Sequence, residues 1–292
     1  MQPPYVVAHD LTKAFDSKSV LSGVSFEVRP GDVIGVLGKN GAGKTTLLEL
    51  VLGFTPPSSG RVEILGHESY RLPGAVKTRV GFVPQQDELV NQLTAGDQLK
   101  LIRSFYRTWD DALVARLVAT WDIDLRQRVK NMSVGQRQKL SIVIALGHRP
   151  DLLILDEPVA SLDPLARRHF LEQIVEIAAD GNRSVVLSSH IVSDIERLAN
   201  KIWILKDGRL HWAGDVDDLK DSVVRVHLHG ARLPLRDVRI PNALSVDYGD
   251  TYATAIVHDW SAALEAEIAG LMGAQLEVEG LTLEDIFLAM HR

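Results

Sequence analysis

Val33-Ile34-Gly35-Val36-Leu37-Gly38-Lys39-Asn40-Gly41-Ala42-Gly43-Lys44-Thr45-Thr46 runs from an apolar strand pattern straight into a glycine-rich turn. Leu47, Leu48, Val51 and Leu52 then follow in an apolar helical pattern. Strand, glycine turn, Gly-Lys-Thr and helix in that order make a phosphate-binding loop. The glycines let the backbone wrap closely enough for its N–H groups to point at phosphate oxygens. The helix N-terminus that follows adds favourable partial charge. Gly38, Asn40, Gly41, Ala42, Gly43, Lys44, Thr45 and Thr46 are the nucleotide-binding candidates of this loop. Lys44 is placed to supply a point charge to the β- and γ-phosphates, and Thr45 to give its hydroxyl to Mg²⁺.

Leu152-Leu153-Ile154-Leu155-Asp156-Glu157 is a second apolar strand, and it ends in two acids. Adjacent acids are usually a solvated surface pair. Here they end a buried strand in a chain that already has a phosphate loop, at the strand edge where α/β sheets bind ligands. Asp156 is expected to hold Mg²⁺, directly or through water, and Glu157 to accept a proton from the attacking water. A guanine-reading Asn-Lys-x-Asp is missing. The nearest match, Asn200-Lys201-Ile202-Trp203, ends in tryptophan, which argues against a GTPase.

Farther out, Val33–Leu37, Leu152–Leu155 and Val185–Leu187 are short apolar runs separated by longer helical patterns. That alternation predicts an α/β phosphate-loop domain with a mainly parallel sheet covered by helices. Between Leu93 and Gly147 the pattern turns helical: Asp110 and Asp111 precede Ala112, Leu113, Val114, Leu117 and Val118 at amphipathic spacing. We read residues 88–147 as a helical subdomain inserted into a domain spanning 1–220. From Asp221 the character shifts, and Val224, Val226 and Leu228 alternate with Arg225, His227 and His229. Tyr248-Gly249-Asp250-Thr251 reads as a hairpin turn between Leu244–Asp247 and Tyr252–Val257, with helices over Ala262–Met272 and Leu283–Met290. Residues 221–292 are thus expected to form a small α+β accessory domain. His227, His229 and His258 lack metal-ligand spacing there and read as surface residues.

Composition narrows the class. The 292 residues are 46% hydrophobic and 24% charged, and the mean hydropathy is +0.03. This suits a globular chain with one large domain and a small one. A net charge of -6 gives no basic excess for nucleic acid, and none is expected as a partner. The absence of cysteine excludes disulfides, zinc–thiolate sites and cysteine nucleophiles. No stretch approaches the ~18 uninterrupted apolar residues of a spanning helix, and Met1–Asp10 shows no secretory leader. The expectation is a cytoplasmic protein, peripheral on the inner face of the cell membrane, whose membrane role comes through a partner.

Further motifs carry a resemblance to the ATP-binding-cassette (ABC) family, and they arrive in the family's order across nearly all of residues 1–215. Leu11–Phe15 and Val20–Val28 resemble its opening strands. Phe15 falls where the family stacks an aromatic on adenine, and Val20 where an apolar side chain packs beside it. Gly81-Phe82-Val83-Pro84-Gln85 resembles the glutamine loop, which implies that Gln85 contacts Mg²⁺ or the lytic water near the membrane partner. Met132-Ser133-Val134-Gly135-Gln136 resembles the signature Leu-Ser-Gly-Gly-Gln, with Ser133, Gly135 and Gln136 kept. Met132 conserves apolar volume. Val134 is the larger departure, since a β-branched residue disfavours positive φ and close approach. Ala160-Ser161-Leu162-Asp163-Pro164 resembles the dimer-crossing loop centred on Asp163, and Ser188-Ser189-His190 the switch histidine.

The resemblance implies an ATP-binding and ATP-hydrolysing transporter subunit that needs ATP and Mg²⁺. Two cassettes face each other, each ATP being held by one chain's phosphate loop and the other's signature. Glu157, His190, Gln85 and Lys44 are the implied catalytic residues, and Thr45, Gln85 and Asp156 the implied metal ligands. The implied partners are a separately encoded transmembrane permease and a second cassette, most economically another copy of this chain. The segment Leu281-Thr282-Leu283-Glu284-Asp285-Ile286-Phe287-Leu288 resembles a tail of exporter-type cassettes, so export is the expected direction, with an importer motor, or a soluble or regulatory cassette not attached to a permease, as the alternatives.

Overall fold

Strands covered on both faces must be apolar throughout. Val33–Leu37 (β3), Leu152–Asp156 (β7) and Ser184–Ser188 (β8) are buried at every position and depart from that pattern only at their ends, at Asp156, Ser184 and Ser188. The computed structural model describes residues 2–16, 18–230, 239–249, 252–272 and 274–291. They divide into two compact units, Met1–Ala213 and Gly214–Arg292. The expected boundary at 220 lies within the helix that opens the second unit.

The first unit begins with β1 (Val6–Phe15) and β2 (Lys18–Val28), followed by β3, α1 (Lys44–Leu52), β4 (Ser59–Ile64), β5 (His67–Glu68), α2 (Gly74–Lys77) and β6 (Val80–Val83). Three helices come next: α3 (Ala95–Arg103), α4 (Asp111–Thr120) and α5 (Val134–Gly147). They fill the stretch where the sequence turns helical. After β7 come α6 (Pro164–Ala178), β8, α7 (Val192–Leu198), β9 (Lys201–Lys206) and β10 (Arg209–Asp215).

Six of these strands form a sheet in the order β10-β9-β3-β8-β7-β6. The pairs β3/β8, β3/β9, β6/β7 and β7/β8 are parallel. Val36 lies opposite Ser188, and Ser188 opposite Asp156. The carboxyl ends of three central strands therefore come level, where the phosphate loop and the paired acids leave the sheet. A second sheet, β2-β1-β4-β5, is antiparallel. Its strands alternate buried and exposed positions instead of running apolar throughout, as expected of a sheet with one solvated face. That mixed pattern hides it from a search for buried parallel strands.

The second unit contains α8 (Val216–Ser222), β11 (Val224–Gly230), β12 (Ala243–Tyr248), β13 (Tyr252–Val257), α9 (Ala262–Met272), β14 (Ala274–Gly280) and α10 (Leu283–Met290). Its antiparallel sheet has the order β12-β13-β11-β14. Val224, Val226 and Leu228 pack with Ala253, Ala255, Val257, Leu264 and Ile268 as its core. Of the expected hairpin turn, Asp250 and Thr251 lie outside the described residues. Gly249 N–H donates to the Tyr252 carbonyl at 2.8 Å. Among the described residues, no helix is long and apolar enough to cross a membrane.

Candidate active site

The phosphate loop is shaped by its last glycine. Gly43 is the N-cap of α1 with φ 104°, a conformation that L side chains rarely adopt. Among the described residues no side chain at the N-cap position closes this helix start. Lys44 is buried, with Nζ donating to the Gly38 carbonyl at 2.8 Å and lying 4.0 Å from Glu157 Oε1. Asn40, Gly41, Gly43, Lys44, Thr45 and Thr46 line a cleft of about 1020 Å³. Phe15 and Val20 line the same cleft, as do Gln85, Asp156 and Glu157. Ala42 is half-buried within the loop, and its N–H donates to the Lys39 carbonyl at 3.1 Å.

One hydroxyl fixes both acids. Ser188 Oγ donates to Asp156 Oδ1 at 2.6 Å and accepts the Glu157 N–H at 2.9 Å. Asp156 is 3% exposed and Glu157 9%. Glu157 adopts a left-handed backbone at φ 49°, a strain of about 1–3 kcal/mol that well-determined surroundings must hold in place. Its Oε2 lies 2.7 Å from His190 Nδ1 and 3.3 Å from the His190 N–H donor. A carboxylate set between a lysine and an imidazole, at the end of a buried strand, is chemically suited to accept a proton from water. In sequence Ser188 was read only as the first residue of the Ser188-Ser189-His190 motif, with no role of its own. Its bridging role depends on a partner in a neighbouring strand, which no local motif reveals.

Ser133, Gly135, Gln136 and Asp163 do not line this cleft. Ser133 is the N-cap of α5 in a reciprocal capping box. Its Oγ accepts the Gln136 N–H at 3.2 Å, and Gln136 Oε1 accepts the Ser133 N–H at 2.8 Å. Gly135 has no room for a side chain, because a Cβ there would lie 2.7 Å from the Ser161 carbonyl oxygen. Val134 is 66% exposed and stands first in α5 rather than among the positive-φ residues. The backbone therefore makes no demand for glycine at Val134, and the conformational objection raised by its sequence does not apply. Met132 is buried, as its apolar character requires.

Asp163 caps α6 by accepting the Ala166 N–H at 2.9 Å, and Lys139 Nζ of α5 lies 3.1 Å from its other oxygen. The Ala166 N–H and then Lys139 hold this carboxyl below its usual range. Just past Gln85, Asp87 meets Arg137 of α5 at 2.6 and 2.8 Å, and Arg137 also reaches Asn91 Oδ1 at 2.8 Å. Burial works to raise the Asp87 pKa, but the Arg137 hydrogen bond and the Leu89 N–H outweigh it and leave the carboxyl below its usual range. These long-range pairs tie the glutamine loop and the crossing loop to one helix.

Comparison with known proteins gives the family. The family model described as ABC transporter matches residues 21–160. The Nod factor export ATP-binding protein I of Cupriavidus metallidurans is 31% identical over 290 residues, covering 96% of this chain and 95% of that protein. The ABC transporter ATP-binding protein YtrB of Bacillus subtilis is 28% identical over 282 residues, again covering 96% and 95%. A solved structure of an ATP-binding subunit of an ABC transporter matches 74% of this chain and 92% of its own, with TM-score 0.69 and 30% identity. A phosphate loop, buried paired acids, an adjoining histidine and a self-capped signature helix thus occur in a chain matched nearly end to end by such subunits. The chain belongs to the ABC transporter family, as one of its ATP-binding, ATP-hydrolysing subunits.

Proposed function

We propose that this chain couples ATP hydrolysis to export through a separately encoded transmembrane permease, working as a dimer of two copies on the inner face of the cell membrane. Residues 1–220 serve as the motor and 221–292 as an accessory domain. The observation that carries this reading is the split between the two sets of site residues. Lys44, Thr45, Gln85, Asp156 and Glu157 share one cleft, while Ser133, Gly135 and Asp163 stand outside it. A single chain then provides one half of each of two sites.

Lys44 binds the β- and γ-phosphates, Phe15 stacks on the base, and Val20 packs beside it. Glu157 accepts the proton of the attacking water, with His190 holding the carboxylate in line. The Thr45 hydroxyl, the Asp156 carboxylate and the Gln85 side-chain carbonyl are oxygen donors around one cleft, the donor set a hard divalent cation takes. When bound, Mg²⁺ neutralises charge on the β- and γ-phosphate oxygens. Ser133, Gly135 and Gln136 reach the nucleotide of the facing copy, and Asp163 lies at the crossing between copies. ATP favours the closed dimer through its higher affinity for that state, and hydrolysis removes the contacts that hold it.

Export is supported by the name of the Cupriavidus relative and by the tail Leu281–Leu288. Attachment to a permease is supported by an exposed apolar patch near the glutamine loop. Phe54, 62% exposed, meets Phe82 edge-on at 5.3 Å, and Phe82 lies three residues before Gln85. The test is capture of a Glu157→Gln chain with Mg-ATP from detergent-solubilised membranes of its host. Recovery of an integral membrane protein in near one-to-one amount is expected. Recovery of soluble proteins alone would contradict the reading.

A further inference from the structure

The base end of the cleft carries a contact that no motif describes. Phe15 lines the cleft and is 46% exposed, so its ring has few packing neighbours. Lys13, two residues earlier on β1, is 8% exposed, and its Nζ sits over the Phe15 ring, 4.7 Å from the centroid. A buried lysine needs partners for its ammonium. Lys13 Nζ donates to Thr55 Oγ1 at 3.0 Å and to the Pro56 carbonyl at 2.8 Å. Both acceptors lie in the loop that leaves α1, and α1 is the helix that starts at the phosphate loop. Further bonds tie β1 to the same loop: Ser58 N–H donates to the Thr12 carbonyl at 2.8 Å, and Ala14 N–H to Ser58 Oγ at 3.0 Å.

We infer that Lys13 is a positioning residue for nucleotide binding: its anchored ammonium holds Phe15 by a cation–π contact as a preset platform for the base. This rests on the proposed stacking of the base on Phe15. A half-exposed aromatic that is free to change rotamer must be immobilised each time it stacks, and that ordering weakens binding. Lys13 occupies one ring face and is not itself a lining residue, so the other face is left to the base. The same ammonium fixes the platform to the loop after α1, and so sets its distance from the phosphate cradle. Lys13 touches neither the nucleotide nor the reacting atoms; it acts through Phe15.

A ligand without a base separates this role from a general structural one. Binding of Mg-ATP and of Mg-tripolyphosphate is measured for the full chain and for its Lys13→Met, Phe15→Ala and double variants. Lys13→Met is expected to weaken Mg-ATP by about fivefold, the size of one cation–π contact, and to leave Mg-tripolyphosphate unchanged. In the Phe15→Ala background the Lys13 substitution is expected to have no further effect. Thr55→Val, which removes one of the two anchors, is expected to give a smaller loss with the same selectivity for ATP. It keeps the question open to test if Lys13→Met folds poorly. Equal loss for both ligands, no loss for ATP, or a Lys13 effect that persists without Phe15 would overturn the inference. A native chain that binds tripolyphosphate as tightly as ATP would instead overturn the stacking reading on which it rests.

Discussion

Two helices of the first unit begin at motifs proposed to bind phosphate, and their N-termini are built in opposite ways. The helix α1 starts at Gly43 with positive φ and no side-chain cap, beside a buried lysine. The helix α5 starts at Ser133 with a complete capping box and an exposed valine in its first turn. An uncapped helix start leaves N–H donors for an anion. In the capped one the Ser133 and Gln136 N–H groups are already satisfied within the chain. In the proposed dimer the first serves a ligand of its own chain, whereas the second, held by its own side chains, meets a ligand of the facing copy.

Breaking the first terminus should have the larger effect. Lys44→Ala removes the buried cation of the phosphate loop, and is expected to lower turnover by about 10³-fold and to weaken ATP binding. Steady-state hydrolysis and nucleotide titration check both. Gly135→Ala acts on the second terminus, since its Cβ meets the Ser161 carbonyl at 2.7 Å and either α5 or the crossing loop must shift. Turnover is expected to fall by about 10-fold while a single chain still binds ATP, because catalytic geometry tolerates little displacement. Ser133→Ala removes the cap and should cost about 1 kcal/mol of stability, read from chemical denaturation.

The smallest effect sits at the far end of α5. His148 closes that helix, stacks on Tyr106 at 4.1 Å, and is 5% exposed. Burial pushes its pKa below the ordinary histidine value. The folded state therefore binds this proton less readily than the unfolded chain. His148 contributes full stability above about pH 6.5, and the contribution is lost as pH falls below that value. Unfolding measured at pH 7 and pH 5 should show a smaller fall for His148→Gln than for the native chain.

The first terminus was far more legible in sequence than the second. Val33–Thr46 and Leu152–Glu157 are contiguous strand-to-turn motifs whose chemistry follows from order alone. The helices α9 and α10 likewise follow from periodicity. Ser188 bridging Asp156 and Glu157, Arg137 pairing with Asp87, and Lys13 under Phe15 all join residues that only the sheet and helix packing bring together. Of the antiparallel sheet, β1 and β2 were read in part through the resemblance, as Leu11–Phe15 and Val20–Val28; β4, β5 and the pairing were not read, because the strands mix exposed polar and buried apolar positions. At Val134 the sequence suggested strain, but its place as the first residue of a capped helix removes it.

The claim that one chain holds half of each site is tested most directly at Val134. Its side chain is exposed and an acid in a first helical turn is favourable, so Val134→Glu should leave the fold intact. It would also place a negative charge where the facing copy's nucleotide must approach. The measurement is the mass in solution, with Mg-ATP, of the Glu157→Gln chain with and without Val134→Glu, together with the ATP bound. A dimer is expected for Glu157→Gln and an ATP-bound monomer for the double variant. A double variant that dimerises as well as the single one would contradict the claim.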